Sequence, residues 1–128
     1  MRNKKSWRKS ASFHHSLRHA WRGLLLALKR DRNIQRQLWV FGLTLVLAVI
    51  LHIAPAQLEI IILIGALVIG LELMNSALEA AEDVLHPHYH ELIGISKDIA
   101  AGAVLLASVA AIGIAMLIFS GPLLALFG

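Results

Sequence analysis

From Phe13 to Leu28 the apolar residues Phe13, Leu17, Trp21, Leu24, Leu25 and Leu28 recur at close to the third or fourth position, with His15, Arg18, Arg22 and Lys29 opposite them. That period is a helix with one apolar stripe. Its basic opposite face predicts a helix lying in a membrane interface over 13–37. The pattern then changes. Leu38 to Ala54 carries no charge, which is the short limit of the roughly 17–25 residues needed to cross about 30 Å of hydrocarbon. Pro55 closes that run, and a tight turn leads to Glu59. A second helix is predicted over 59–83, apolar as far as Leu71 and studded with polar residues beyond it. Residues 84–97, which hold Pro87, read as a loop. The third span is predicted over 98–119, uncharged from Ile99 onward and closed by Ser120-Gly121-Pro122. Residues 1–12 are polar and basic without a period and read as a tail. The expected architecture is a single all-α integral membrane domain: three transmembrane helices plus an N-terminal amphipathic interfacial helix.

Composition agrees with that class. The chain is 58% hydrophobic and 16% charged over 128 residues, where soluble domains run at about 45–50% and about 25%. With no cysteine, thiolate catalysis, disulfide frameworks and cysteine zinc sites are excluded together. There is also no Gly-x-x-x-x-Gly-Lys-Ser/Thr loop, no Gly-x-Gly-x-x-Gly and no protein-kinase signature set, so any phosphoryl chemistry needs a site built from membrane helices.

Charge placement adds orientation. Of the 12 Lys and Arg residues, all but Lys97 lie at or before Arg36. The first apolar run begins only at Leu38, so the basic start does not read as a signal peptide. Its cations place the N-terminus in the cytoplasm and favour anionic lipid rather than nucleic acid as the partner. Three spans then bring Asp31, the polar half of the second helix and the 84–97 loop to the cytoplasmic surface.

That polar half carries the chemistry. In Glu72-Leu-Met-Asn75-Ser76-Ala-Leu-Glu79-Ala-Ala-Glu82-Asp83, the acids and the amide follow helical spacing and share a stripe. An ionised side chain inside a span costs roughly 2.5–3.5 kcal/mol, so it is seldom there without a partner or a task. Glu82 reads as solvated at the helix exit; Glu72, seven residues before Glu79 and so about 10 Å deeper along the axis, does not. Carboxylates so placed suit a general base acting on an alcohol, or a hard cation bound together with phosphates. Lys97-Asp98 offers an ammonium for phosphate beside another acid. His86, His88 and His90 alternate as a metal site could, but no fourth zinc ligand is evident beyond Glu91. Ala103, Ala107, Ala111 and Ala115 fall at every fourth place, a spacing that lets helices approach closely, and a homo-oligomer is expected to enclose the polar groups.

Taken with His90-Glu91-Leu-Ile-Gly-Ile-Ser-Lys97-Asp98-Ile-Ala-Ala-Gly-Ala-Val, Ala20-Trp21-Arg22-Gly23 and Asp31-Arg32-Asn33, the Glu72–Asp83 segment resembles the small bacterial integral-membrane diacylglycerol and undecaprenol kinases. The resemblance runs from about Phe13 to Phe119. It implies a homotrimer in the bacterial inner membrane that moves the γ-phosphate of ATP, with Mg2+, to the hydroxyl of a lipid alcohol. By the same resemblance Glu72 is the catalytic base, supported by Asn75. Asp31 and Glu79 hold the metal, and His19, His88, Tyr89, His90, Lys97 and Asp98 contact nucleotide. Asp31 stands where the family more often has glutamate, Gln35 where it is often basic, and Ala101 where enteric diacylglycerol kinases have serine. The wording around Lys97 and the Arg32-Asn33 pair resemble the undecaprenol branch more closely. The alternative expectation is a non-enzymatic oligomeric membrane protein whose carboxylates form an ion path. It is weakened by the placement of polar groups at one end, with only His52 and Glu59 at the other.

Overall fold

The structure, a computed structural model, describes residues 13–85 and 90–126. It is all-helical over those residues: α1 (Phe13–Arg30), α2 (Arg32–Ile50), α3 (Pro55–Leu85) and α4 (Glu91–Leu124). The latter three are long and apolar enough to cross a membrane.

The helix boundaries differ from those the sequence predicts. The helix expected over 13–37 breaks at Asp31, whose extended backbone (φ −101°, ψ 113°) lets its carboxylate accept from the amides of Asn33 at 2.7 Å and Ile34 at 3.3 Å. A short acidic side chain that satisfies free amides in this way starts a helix rather than continuing one. The corner is fastened from both sides: Gln35 Nε2 donates to the Leu28 carbonyl at 2.8 Å, and Ile34 is fully buried.

At the opposite end α2 stops at Ile50, earlier than expected. His52 takes φ 51°, its amide bonds back to the Val49 carbonyl, and the Ile53 amide reaches the Ala48 carbonyl. This is the Schellman arrangement, with histidine where glycine is usual. Pro55, read as the end of the first span, instead opens α3. A first helical residue has no use for its N–H, so proline fits there, and the Ala54 carbonyl accepts from Gln57 and Leu58.

The loop expected over 84–97 is mostly helix. α3 runs on to Leu85 and α4 begins at Glu91, with the amides of Ile93 and Gly94 bonded to the His90 carbonyl. Polarity marks where a helix leaves lipid, not where it ends. α4 also continues past Ser120 through Pro122, forgoing one ladder bond in its last turn. At 31 and 34 residues, α3 and α4 are about 46 and 51 Å long, well beyond about 30 Å of hydrocarbon.

α3 is the centre of the bundle. It packs most extensively on α4, next on α2, and its later half also meets α1. Ala107 is buried and Ala111 and Ala115 are half-buried, so the small residues of α4 admit close approach within one chain; Ala103 is exposed. The buried cluster of Ala48, Ile61, Ile118 and Phe119 joins the three long helices near the His52 turn. The outward face stays apolar, with Leu63, Leu106 and Leu117 at least 70% exposed. So large a greasy surface suits lipid or further protein.

Candidate active site

Along α3 the residues facing the bundle recur at Ile61, Gly65, Val68, Glu72, Asn75 and Glu82, the alternating three-and-four spacing of a packed helical seam. The same register that buries Ile61 and Val68 therefore buries Glu72 and Asn75, at 4% and 8% exposure. Gly65 sets the distance to α2, because the ring of Phe41 occupies the place a Cβ would take. One turn before Phe41, Gln37 Nε2 donates to Glu72 Oε2 at 3.3 Å.

Glu82 shares this seam and is half-buried with Oε2 enclosed, contrary to the expectation of a solvated side chain. The reason is its spacing, seven residues after Asn75.

Beyond Glu72, α3 forms one wall of a groove of about 830 Å3 whose other walls are α1 and the Asp31 corner. Asp31, Ser76, Glu79 and Asp83 line it, with Arg30 and Arg32 beside them. Ser76 Oγ donates to Asp31 Oδ2, across two helices. Asn75 Nδ2 donates to Glu79 Oε1 at 3.2 Å, which links the buried amide to the groove. Burial works to raise the pKa of Asp31, but the hydrogen bonds from Ser76, Asn33 and Ile34 outweigh it and hold the carboxyl below its ordinary value. Asp31 is thus ionised in the groove. From α4, Lys97 Nζ pairs with Asp83 Oδ1 at 2.5 Å.

The structure brings together Asp31, Asn75, Glu79 and, through Asp83, Lys97, with Glu72 about one turn deeper. Asp98 is exposed on α4 and outside the groove lining, as is His19 on α1, whose ring packs edge-on against His15. His90 precedes the first turn of α4 with an extended backbone. His88 and Tyr89, with His86, lie outside the described residues.

Two partners escaped the sequence reading, Gln37 for Glu72 and Asp83 for Lys97. The first had a faint signal, a lone uncharged polar residue at the threshold of an apolar run. The second follows only once α4 is seen to begin at Glu91.

Chemically, the groove joins cationic side chains to oxygen ligands. Among the described residues no three His, Asp or Glu side chains converge as a self-contained metal cage. Asp31 and Glu79 on one groove instead fit a hard cation that takes one or two carboxylates and completes its shell with phosphates. A second cavity, about 300 Å3 and apolar, lies between α2, α3 and α4, with Gln37 in its wall.

The chain is similar in sequence to known proteins. The family model described as prokaryotic diacylglycerol kinase matches residues 18–119. A diacylglycerol kinase of Synechocystis sp. is 36% identical over 124 residues, 96% of this chain and 71% of its own. An undecaprenol kinase of Bacillus subtilis is 32% identical over 107 residues, 84% of this chain and 87% of its own. A diacylglycerol kinase of Escherichia coli K12 is 32% identical over 94 residues, covering 73% and 77%.

Proposed function

Starting from the fact that this chain belongs to the prokaryotic diacylglycerol kinase family and is a membrane lipid kinase, we propose that it transfers the γ-phosphate of ATP to undecaprenol in preference to diacylglycerol. The observation that carries the reading is the buried carboxylate of Glu72, held by a neutral amide next to a groove lined with carboxylates and arginines. A carboxylate held in place at the inner edge of such a groove is where a general base on an alcohol is needed.

Glu72 removes the proton of the lipid hydroxyl. That oxygen bonds to the γ-phosphorus while the bond to the bridging β–γ oxygen breaks, and ADP leaves with the electron pair. Asp31 and Glu79 would hold Mg2+, and the ion when bound supplies charge stabilisation at the β- and γ-phosphates. Lys97 is the ammonium for the phosphates, and Asn75 keeps Glu79 oriented through its hydrogen bond. His19, His88, Tyr89, His90 and Asp98 are assigned to the nucleotide. α1 lies in the interface, apolar face down. The basic N-terminal region places this end in the cytoplasm of a bacterium, where ATP is, and the chain works as a homotrimer in the inner membrane.

The preference for undecaprenol rests on the Lys97-Asp98-Ile-Ala-Ala-Gly-Ala-Val and Arg32-Asn33 segments. It is tested by offering labelled ATP, Mg2+ and equimolar undecaprenol and diacylglycerol in one detergent sample. An excess of undecaprenyl phosphate supports the preference, and an excess of phosphatidate overturns it while leaving the kinase intact. The ion-path reading is not favoured, because at the far end His52 and Glu59 are both exposed and continue no polar track from Glu72.

A further inference from the structure

Glu72 is 4% exposed inside a membrane-spanning helix, and its hydrogen bond from Gln37 is the side-chain contact that orients it. We propose that Gln37 is the positioning residue of this carboxylate, an inference that rests on reading Glu72 as the base. Three observations carry it.

The first is the character of the contact. A neutral amide N–H fixes the direction in which the carboxylate points without adding a charge of its own to the buried site. The second is what Gln37 does otherwise. Its Oε1 is enclosed and has no hydrogen-bond partner among the described residues. Among the same residues no other hydrogen bond fixes which way the amide faces, and turning it over would set oxygen against oxygen. A buried acceptor left unmatched is disfavoured, so the bond to Glu72 is the gain that keeps this orientation. The third is location. Gln37 lines the apolar cavity between α2, α3 and α4 and also touches Glu72, so it stands where hydrocarbon meets the reacting carboxylate. Its place is fixed from below by the contact of Phe41 with Gly65, one turn further along α2.

The test compares wild type, Gln37→Met, Glu72→Gln and the double variant, purified as full chains in detergent, with kcat and KM measured for ATP and for the lipid. Methionine keeps the length of the side chain and removes the donor. We expect Gln37→Met to lower kcat by about ten- to hundredfold, the range for losing a hydrogen bond to a charged group. KM for ATP and the Tm should be unchanged. In the Glu72→Gln background the same change should lower kcat no further, because the two residues act as one unit. Wild-type kcat in Gln37→Met, or a full multiplicative loss on top of Glu72→Gln, would overturn the positioning role. An active wild type matched by an equally active Glu72→Gln would instead remove the base assignment beneath it, and no phosphorylation of either lipid by wild type would remove the kinase reading altogether.

Discussion

Asp31 has two duties that one pair of substitutions separates. Its carboxylate caps α2 through the amides of Asn33 and Ile34 and also accepts from Ser76, while its charge is assigned to magnesium. Asparagine caps a helix about as well as aspartate, whereas alanine in place of either costs about 1 kcal/mol, within 0.5–2. For a chain of 128 residues that cost is a drop of about 3–6 °C in Tm. Asp31→Asn should therefore keep nearly all of the stability, because Oδ1 remains an acceptor, and lose the charge. Asp31→Ala should lose both. The assay is a Tm in detergent beside a magnesium titration of kinase activity. The half-saturating Mg2+ concentration should rise by at least about tenfold in both variants, with only alanine lowering Tm. Equal destabilisation by asparagine and alanine would refute the capping account, and an unchanged magnesium titration would refute the metal assignment.

Three further outcomes are expected. Asp83→Asn removes the partner of Lys97; KM for ATP should fall as the ammonium is freed, with Tm little changed because the pair is solvent-accessible, and a raised KM would show that Asp83 itself serves the nucleotide. His52→Gly relieves a left-handed backbone and should raise Tm by a few degrees, on the order of 1 kcal/mol, whereas His52→Val should lower it. The pKa of Asp31 is lower in the fold than the ordinary 3.8. Its contribution to stability is thus complete above that value and lost as pH falls through the lower folded value, so the stability lead of wild type over Asp31→Ala should narrow below about pH 3.8 and be constant above it.

The long-range order of this fold was readable because lipid imposes it. Uncharged stretches long enough to cross hydrocarbon have few alternatives to helix, so the three long helices stand where the apolar runs do. Glu72 stood out for the same reason, as an acid in a span. The boundaries were less legible, because charge marks the lipid surface and hydrogen bonding marks the helix end. α4 begins at Glu91, well before its uncharged stretch, since Glu91–Lys97 holds no proline and the one glycine there, Gly94, sits in the first turn with its amide bonded to the His90 carbonyl. Pro55 could end one helix or start the next, and only the Ala54 carbonyl's two bonds decide it. Asp31-Arg32-Asn33 did contain a capping signal, overridden in the reading by a helical period that continued across it. Contacts such as Gln37 with Glu72 join positions 35 residues apart. They depend on the register of α2 against α3, which the close approach of Phe41 to Gly65 sets and which no local pattern encodes.

Glu72 is proposed as the base of this lipid kinase. The most direct test of that role is transfer of label from γ-labelled ATP, with Mg2+, to undecaprenol and to diacylglycerol by wild type and by Glu72→Gln, each first shown to be folded and of the same oligomeric size. Labelled phospholipid is expected from wild type, with a kcat lower by about 10²–10⁴-fold in Glu72→Gln and KM for ATP little changed. A variant that transfers phosphate at the wild-type rate would contradict that role.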